Sequence, residues 1–114
     1  PTADVAMKTA RRLLERNSPP ASIYTSFDVF ALGALRVAGA LGLKVPDDLG
    51  IVATVDSQGM RSATPTLTAI ENHPRELGSR AIKMLVGLLN GEVKPPVGEI
   101  VPAELQVRES TSRP

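Results

Sequence analysis

The segment LGIVATV, residues 49–55, is almost continuously apolar or neutral, and it constrains the fold more than any other part of the chain. A strand with one face in water alternates apolar and polar side chains, whereas a strand covered on both faces shows no alternation. The segment therefore predicts a buried strand in a parallel sheet. Because parallel strands cannot be joined by a tight turn, we expect helices between the strands.

A strand and a helix precede this segment along the chain. The run ASIYT, residues 21–25, is short, apolar and partly β-branched, which predicts a strand. From Val29 to Leu41, apolar residues spread over most of the helical circumference, so this helix is expected to be buried on more than one side. Gly42 suits the left-handed residue that ends a helix. Together with the segment at 49–55, these elements predict a right-handed βαβ unit.

Two more helices are expected. Residues 4–17 predict a helix whose apolar face consists of Ala6, Ala10, Leu13 and Leu14. A later helix is expected to begin after Asn72 or His73, with Pro74 in its first position. Gly91 fits its end. The apolar stripe of this later helix consists of Leu77, Ala81, Met84, Leu85, Leu88 and Leu89.

Between and after these helices, the pattern is that of loops and short strands. Residues 57–65 read as a loop, and TLTAIE, residues 66–71, as a short strand. In the last run, residues 99–110, Pro102 demands an edge strand or a bulge. Its side chains expected to point inward are Ile100, Leu105 and Val107.

The pattern thus indicates an α/β fold with about three helices and three or four strands. A doubly wound sheet normally has more strands around its ligand cleft, so we expect an incomplete part of a larger core. A chain of 114 residues is long enough for one small domain. Its first residue is Pro1 rather than Met, which indicates a processed or excised piece.

Composition excludes several classes of function. The net charge is +1, and the basic residues are scattered rather than clustered, so this chain has no electrostatic footprint for nucleic acid. The absence of cysteine excludes disulfides and thiolate metal sites. No apolar run approaches the roughly 18 residues of a membrane span. The expectation is a cytoplasmic protein that does not contact a membrane.

Catalytic and metal-binding patterns are missing from the sequence. A single histidine, His73, cannot supply a catalytic triad or a metal-ligand cluster. The glycines form neither GxGxxG nor GxxxxGK[ST], so no phosphate-binding loop is predicted. We therefore expect no enzyme activity, no catalytic residue, no metal and no cofactor.

The ends of the two predicted strands are the only positions that suggest a site. Ligands of open α/β sheets bind outside the carboxyl ends of the strands, where this chain has Phe27 with Asp28 and Val55 with Asp56. Asp28 is also a good candidate for the N-cap of the following helix. For Asp56, hydrogen bonding within a cap or loop and contact with a ligand are both open.

A resemblance to the LacI/GalR family of bacterial transcriptional regulators is carried by residues 19–56, PPASIYTSFDVFALGALRVAGALGLKVPDDLGIVATVD. In that family, a strand ends in Asn-Asp and runs into a helix of the form Ala-x-Gly-Ala. The chain then passes through Gly-Leu-x-Val-Pro-x-Asp and enters a strand that closes on Gly-Phe/Tyr-Asp-Asp. The later segments TPTLTAIENHPRELG and PAELQVREST also resemble the family, and the match runs to about residue 112.

The resemblance implies a fold and a function. Regulators of this family have an N-terminal helix-turn-helix that reads operator DNA, followed by a periplasmic-binding-protein-like core of two α/β subdomains, each a three-layer doubly wound sheet. A small-molecule effector, most often a sugar, binds between the subdomains of a homodimer. Residues 1–114 correspond to the C-terminal portion of that core, with residues 74–90 forming a helix that crosses to the other subdomain. The DNA-binding part is expected to be absent from this chain.

Two departures from the family pattern concern the effector site. Phe27 stands at the family's Asn, and Val55 stands at the first Asp of Asp-Asp; both family residues commonly bind sugar hydroxyls. Each hydroxyl left without a partner costs about 1 to 3 kcal/mol. We therefore expect an apolar, aromatic or otherwise non-sugar effector, or no effector. Two roles remain open for Phe27, which either stacks on a planar ligand or fills the cleft.

The resemblance also implies a dimer interface, formed by the helix after the first strand and the loop after the second. Its candidate contacts are Leu32, Leu35, Gly59, Met60, Ser62 and Ala63. Burial of Leu35 in the chain's own core is the simpler alternative for that residue. The competing function is a periplasmic solute-binding protein of a transport system, which has the same core fold.

Overall fold

A computed structural model describes residues 2–112 of the chain. In chain order, the elements are α1 (Ala3–Leu14), β1 (Ser22–Thr25), α2 (Asp28–Ala40), β2 (Gly50–Ala53), α3 (Gln58–Ser62), β3 (Thr68–Glu71), α4 (Pro74–Leu89) and β4 (Glu104–Gln106). The strands form one open sheet in the order β1-β2-β3-β4. The pairs β1–β2 and β2–β3 are parallel, which confirms the predicted βαβ connection.

The core is aliphatic and centres on β2. Ile51 and Ala53 of this strand are fully buried, and the intervening Val52 is half-buried, so both faces of the strand are at least partly covered. This burial explains why the sequence of the strand does not alternate. The buried residues that pack around it include Leu49, Met60, Leu67, Ala69, Val37 and Ala38.

Helices α1 and α2 pack closely because small residues face each other. The buried face of α1 consists of Ala6, Ala10 and Leu14, as predicted, while Leu13 is half-buried. On α2 the facing residue is Gly33. A Cβ atom built on Gly33 would lie 2.7 Å from the Cβ of Ala6 and 3.2 Å from its carbonyl carbon. The glycine is therefore required for the close approach of the two helix backbones.

Substitution of Gly33 by alanine is expected to destabilise the chain by about 1 to 3 kcal/mol, because the new Cβ would force α1 away from α2. Gly39 of the same helix provides the matched control, since nothing lies within 4 Å of a Cβ at that position. Gly39→Ala is expected to stabilise the chain slightly, by up to about 1 kcal/mol, through helix propensity. Urea unfolding of the two variants measures the difference, and equal effects would refute this packing argument.

The ends of α2 and α1 test the local predictions. Gly42 adopts a φ of 74°, and the N–H of Leu43 donates to the carbonyl of Ala38 at 2.9 Å. These features form a Schellman ending, so the prediction for Gly42 is confirmed. Helix α1 ends at Leu14, three residues before the predicted boundary.

Residues Asn72–Glu104 form a compact unit of their own, separate from the unit made by the chain up to Glu71 and the stretch from Leu105 on. Helix α4 lies in this second unit, with His73 at its N-cap and Gly91 after its end at a φ of 73°. Gly87 is buried against Val93. Apolar residues of α4 that remain largely exposed are Leu77, Ile82, Leu85, Val86 and Leu89.

The predictions for residues 57–65 and for the last strand are wrong in two respects. Residues expected to form a loop contain α3, a five-residue helix capped by the Ser57 hydroxyl, which accepts the N–H of Met60 at 3.4 Å. The side chains expected to point inward in the last run are instead exposed, namely Ile100 (90%), Leu105 (59%) and Val107 (60%). The inward positions are taken by Arg108 and Ser110, which hydrogen-bond to β2, β3 and the loops beside them.

Within residues 2–112, none of the helices combines the length and apolar character needed to cross a membrane.

Candidate functional site

The carboxyl ends of β1 and β2 meet at one edge of the sheet. Thr25 pairs with Ala53 in the parallel register, so Phe27 and Val55 each lie two residues beyond a paired position. The N–H and the hydroxyl of Thr54 both donate to the Thr25 carbonyl, at 2.9 and 3.1 Å. Phe27, Asp28, Val55 and Asp56 therefore occupy neighbouring strand ends, and we call them the strand-end site.

Phe27, rather than Asp28, is the N-cap of α2. Its backbone is extended, with φ −140° and ψ 151°, and its side chain makes no capping hydrogen bond. The Thr25 hydroxyl donates to the Phe27 carbonyl at 3.0 Å, which holds the turn. Nearly half of the Phe27 side chain is exposed (48%), and its ring makes a tilted contact with Phe30 at a centroid distance of 6.4 Å.

The sequence predicted Asp28 as the N-cap of α2. The N-cap is one residue earlier, so Asp28 is the first residue of the helix itself. Its Oδ1 accepts the N–H of Val29 at 2.8 Å. A carboxylate in the first turn is favourable, since it faces the positive end of the helix dipole. Asp28 therefore accepts an N–H of the first turn, as predicted, but the prediction that it is the N-cap is wrong.

Among the strand-end residues, Asp56 has the side chain with the most hydrogen bonds. Both of its oxygens accept from Arg108, at 2.9 and 2.7 Å, and Oδ2 also accepts from Arg61 at 2.6 Å. The Asp56 side chain is almost completely buried, with 3% exposed. Its hydrogen bonds to Arg108 hold the pKa of the carboxyl below the ordinary value, and the bond from Arg61 acts in the same direction, against the opposing effect of burial.

These contacts assign Asp56 a structural part in the strand-end site. Arg61 belongs to α3, and Arg108 follows β4, so the carboxylate ties the end of β2 to two other elements. Arg108 also donates to the Leu67 carbonyl at 2.7 Å, before β3. Among the four strand-end residues, the exposed side chains are those of Phe27 and Val55, the latter 37% exposed. These two side chains therefore present apolar surface beside Asp56, whose carboxylate is already paired with two arginines.

The residues predicted for a dimer interface lie on two elements. Leu32 and Leu35 belong to α2, whereas the others lie on α3 or directly after it. Helices α2 and α3 are in contact, and a Cβ on Gly59 would lie 3.1 Å from Cδ1 of Leu32. Gly59 and Ser62 are exposed, and Leu32, Leu35 and Ala63 are half-buried. We call these five residues the α2–α3 surface. Met60 is fully buried in the chain's own core, so it has no surface to offer a second copy and is removed from the set.

A cavity of about 200 Å³ opens beside β1, separate from the strand-end residues. Its lining includes Leu13, Ile23, Tyr24 and Phe30, and it does not include Phe27, Val55 or Asp56. Within residues 2–112, no group of three or more histidine, aspartate or glutamate side chains is placed to hold a metal ion.

Sequence reasoning missed the residues that organise this region, namely Arg61, Arg108 and Ser110. They belong to segments that resembled a loop or an alternating strand, and the partners of the Arg108 and Ser110 side chains lie more than 40 positions away. Asp56 and Arg108, for example, are 52 positions apart. The serine at position 57, directly before α3, was the one local signal of a helix start.

Comparison with known proteins identifies the fold family. Residues 1–111 match the model of the periplasmic binding protein-like domain. The chain is 36% identical over 110 residues to the HTH-type transcriptional regulator CelR of Thermobifida fusca, covering 96% of this chain and 32% of the regulator.

Two solved structures give the same result. A LacI family transcriptional regulator from Bifidobacterium animalis subsp. lactis superimposes with a TM-score of 0.91 at 34% identity, over 97% of this chain and 41% of that one. A complex of the regulator CelR with cellobiose gives a TM-score of 0.86 at 32% identity, over 96% of this chain and 33% of that one.

The chain spans about one third of the length of the curated relatives that it matches. The resemblance stated from the sequence motifs is confirmed, as is an α/β fold that forms part of a three-layer core. The chain belongs to the periplasmic binding protein-like domain family, within which it is the C-terminal part of a LacI/GalR-type core.

Proposed function

We propose that this chain is the effector-binding and dimerisation region of a DNA-binding transcriptional regulator of the LacI type. The observation that carries the proposal is the match of nearly the whole chain to HTH-type regulators at 33 to 36% identity. This match favours a regulator over the solute-binding protein of a transport system, which has the same fold. No enzyme activity is part of the proposal.

In the proposed regulator, operator DNA is bound by a separate N-terminal domain, and this region answers to a small molecule. A cytoplasmic location goes with this function, since operator DNA lies there. The strand-end site forms one wall of the effector cleft, where Phe27 and Val55 face the ligand. Asp28 and Asp56 support that wall through their hydrogen bonds to the Val29 N–H and to the two arginines.

The proposal is tested with the full-length regulator and a selection from fragmented genomic DNA. The full-length protein is expected to retain specific fragments, whereas this chain alone retains none, since its net charge is only +1. Sequencing of the retained fragments identifies the operator. A full-length protein that shows no preference among fragments at physiological salt would contradict the assignment.

Dimerisation is proposed to use the α2–α3 surface. The contact between Leu32 and Gly59 joins the two helices into one continuous patch, and its apolar side chains are only half-buried in the chain itself. Helix α4 is proposed to cross to the second subdomain, which is consistent with the exposed apolar side chains Leu77, Leu85 and Leu89.

Replacing Leu32 by glutamate in the full-length regulator is expected to convert dimers to monomers, because a carboxylate would be buried without a partner in the interface. Sedimentation velocity measures the change, and an increase in the dissociation constant of at least about a hundredfold is expected. Val5→Glu is the control, since Val5 is an exposed apolar residue of α1. Dimers that persist unchanged in Leu32→Glu would exclude this surface.

A further inference from the structure

The N-cap position of α2 is one where the helix favours a polar residue. Asparagine, aspartate or serine with the extended backbone of Phe27 would accept an N–H of the first turn. The phenyl ring accepts none, so it contributes nothing to the start of the helix. A ring at this position therefore has to be explained by what it contacts.

Within residues 2–112, Phe27 is only partly covered. Its side chain is 48% exposed, and the ring neighbour the structure shows is Phe30, tilted by 49°. The tilted arrangement is a favourable one for aromatic pairs. Val55, at the neighbouring strand end, is 37% exposed. The two side chains form an apolar lip at the edge of the sheet where ligands of open α/β folds bind.

Several polar groups around this lip already have partners within the chain. The Asp28 carboxylate accepts from Val29, and both oxygens of Asp56 accept from arginines. The hydroxyls of Tyr24 and Thr54 bond to each other at 2.5 Å. A sugar hydroxyl placed against Phe27 or Val55 would find no hydrogen-bonding partner on these two side chains, which weakens binding.

We propose that the effector presents a planar, apolar ring that stacks on Phe27 and contacts Val55, instead of a hydroxyl-rich pyranose. This inference rests on the proposed function, because it names the ligand class of the same cleft. Phe27 and Val55 are then the specificity-determining residues. The cellobiose complex of CelR, which is 32% identical over the matched region, provides the contrasting ligand.

The test uses the full-length regulator with two probes, indole as the planar apolar ring and cellobiose as the sugar. Isothermal titration calorimetry is expected to give at least about tenfold tighter binding of indole than of cellobiose. Phe27→Asn is expected to weaken indole binding about tenfold, and Phe27→Tyr, which keeps the ring, to retain affinity within about threefold. Val5→Ala serves as the control for exposed apolar residues.

Asparagine is suited to the N-cap, so Phe27→Asn is expected to fold, and a cooperative thermal transition checks this. Tighter binding of cellobiose than of indole, no detectable binding of indole, or full indole affinity in Phe27→Asn would each overturn the inference. Dimerisation and selection of operator DNA are measured without either probe. If these persist while indole binding fails, only the ligand class is refuted; if they fail as well, the proposed function itself is refuted.

Discussion

Replacing Arg108 by methionine is expected to destabilise the chain by about 3 kcal/mol at neutral pH. The substitution keeps much of the aliphatic volume but leaves the buried Asp56 carboxylate with Arg61 as its remaining cation. Loss of one partner from a buried ion pair typically costs about 3 to 5 kcal/mol, and the lower end applies because Arg61 remains. The Leu67 carbonyl also loses its donor. Urea unfolding measures the change as a shift of the midpoint at constant slope.

Arg80→Met is the matched control for this substitution. Arg80 also bonds to two carboxylates, those of Glu76 and Glu99, but all three side chains are about half exposed. Water screens such pairs, so no measurable loss of stability is expected. Similar losses in the two variants would show that burial of Asp56 does not strengthen its ion pair.

The same ion pair predicts a pH dependence. The pKa of Asp56 lies below its ordinary value, because Arg108 and Arg61 donate to the charged form. A lowered pKa in the folded state stabilises that state fully above the unfolded value of about 3.9, and the contribution disappears as the pH falls through the folded value. The stability gap between the wild type and Arg108→Met is therefore expected to be constant near neutrality and to narrow below about pH 4.

The difference in stability between the two proteins is also largely free of the titration of a second acidic group, Glu109. Thr66 donates its N–H and its hydroxyl to Glu109, and these bonds lower the pKa of that carboxyl as well. Glu109 is present in both proteins, so its titration largely cancels in the difference. A stability gap that stays constant down to pH 2 would show that the charge of Asp56 is not what Arg108 stabilises.

Ser110→Ala is expected to destabilise the chain by about 2 to 4 kcal/mol, although it removes a single oxygen atom. Ser110 is fully buried. Its hydroxyl donates to the Ile51 carbonyl at 2.6 Å and accepts the N–H of Thr68 at 2.8 Å. Without the hydroxyl, both backbone groups lose a buried partner, at about 1 to 3 kcal/mol for each unsatisfied group.

Ser112→Ala provides the control for this prediction, because Ser112 is exposed two positions further along the same segment. It is expected to leave the unfolding midpoint unchanged. Hydrogen exchange adds a local measurement, since loss of protection in Ser110→Ala should concentrate at Thr68, whose N–H bonds to the serine. A small effect in unfolding together with unchanged exchange at Thr68 would mean that the segment carries little stability.

The predictions for Arg108→Met and Ser110→Ala both concern the structural role of residues 108–111. This segment connects β2 with β3 through hydrogen bonds. The backbone of Ser110 accepts the N–H of Ile51 at 3.2 Å and donates to Thr66 at 3.0 Å. The hydroxyl of Thr68 accepts the N–H of Arg108 at 2.9 Å. This segment is polar in sequence and yet lies partly inside the fold, so it stabilises the chain through hydrogen bonds instead of apolar contact.

Local patterns were sufficient for the parts of the fold that depend on neighbouring residues. The lack of alternation at 49–55 indicated a strand covered on both faces, and β2 is such a strand. Gly42 and Gly91 marked helix ends because only glycine adopts positive φ without strain. The edge of the sheet that holds Phe27 and Val55 could also be predicted, since parallel strands bring their carboxyl ends together.

Boundaries and side-chain roles could not be obtained in this way. Helix α3 has five residues, which is too short for helical periodicity to appear. The cap of α2 shifted by one residue because capping depends on φ and ψ, and Phe27 has the extended backbone that the sequence does not specify. Alternation in the last strand pointed to Leu105 and Val107, yet both are exposed, because β4 is a three-residue edge strand.

The sequence by itself determined the fold class, the parallel strand–helix–strand order and the family, because these depend on the period of apolar residues and on motifs in fixed order. The tertiary structure alone decided what the polar residues do. Asp56 meets Arg108 across 52 positions and Ser110 meets Ile51 across 59, and no local pattern specifies such pairs. Asp56 thereby became a buried ion-pair partner, which left Phe27 and Val55 as the exposed side chains of the strand-end site.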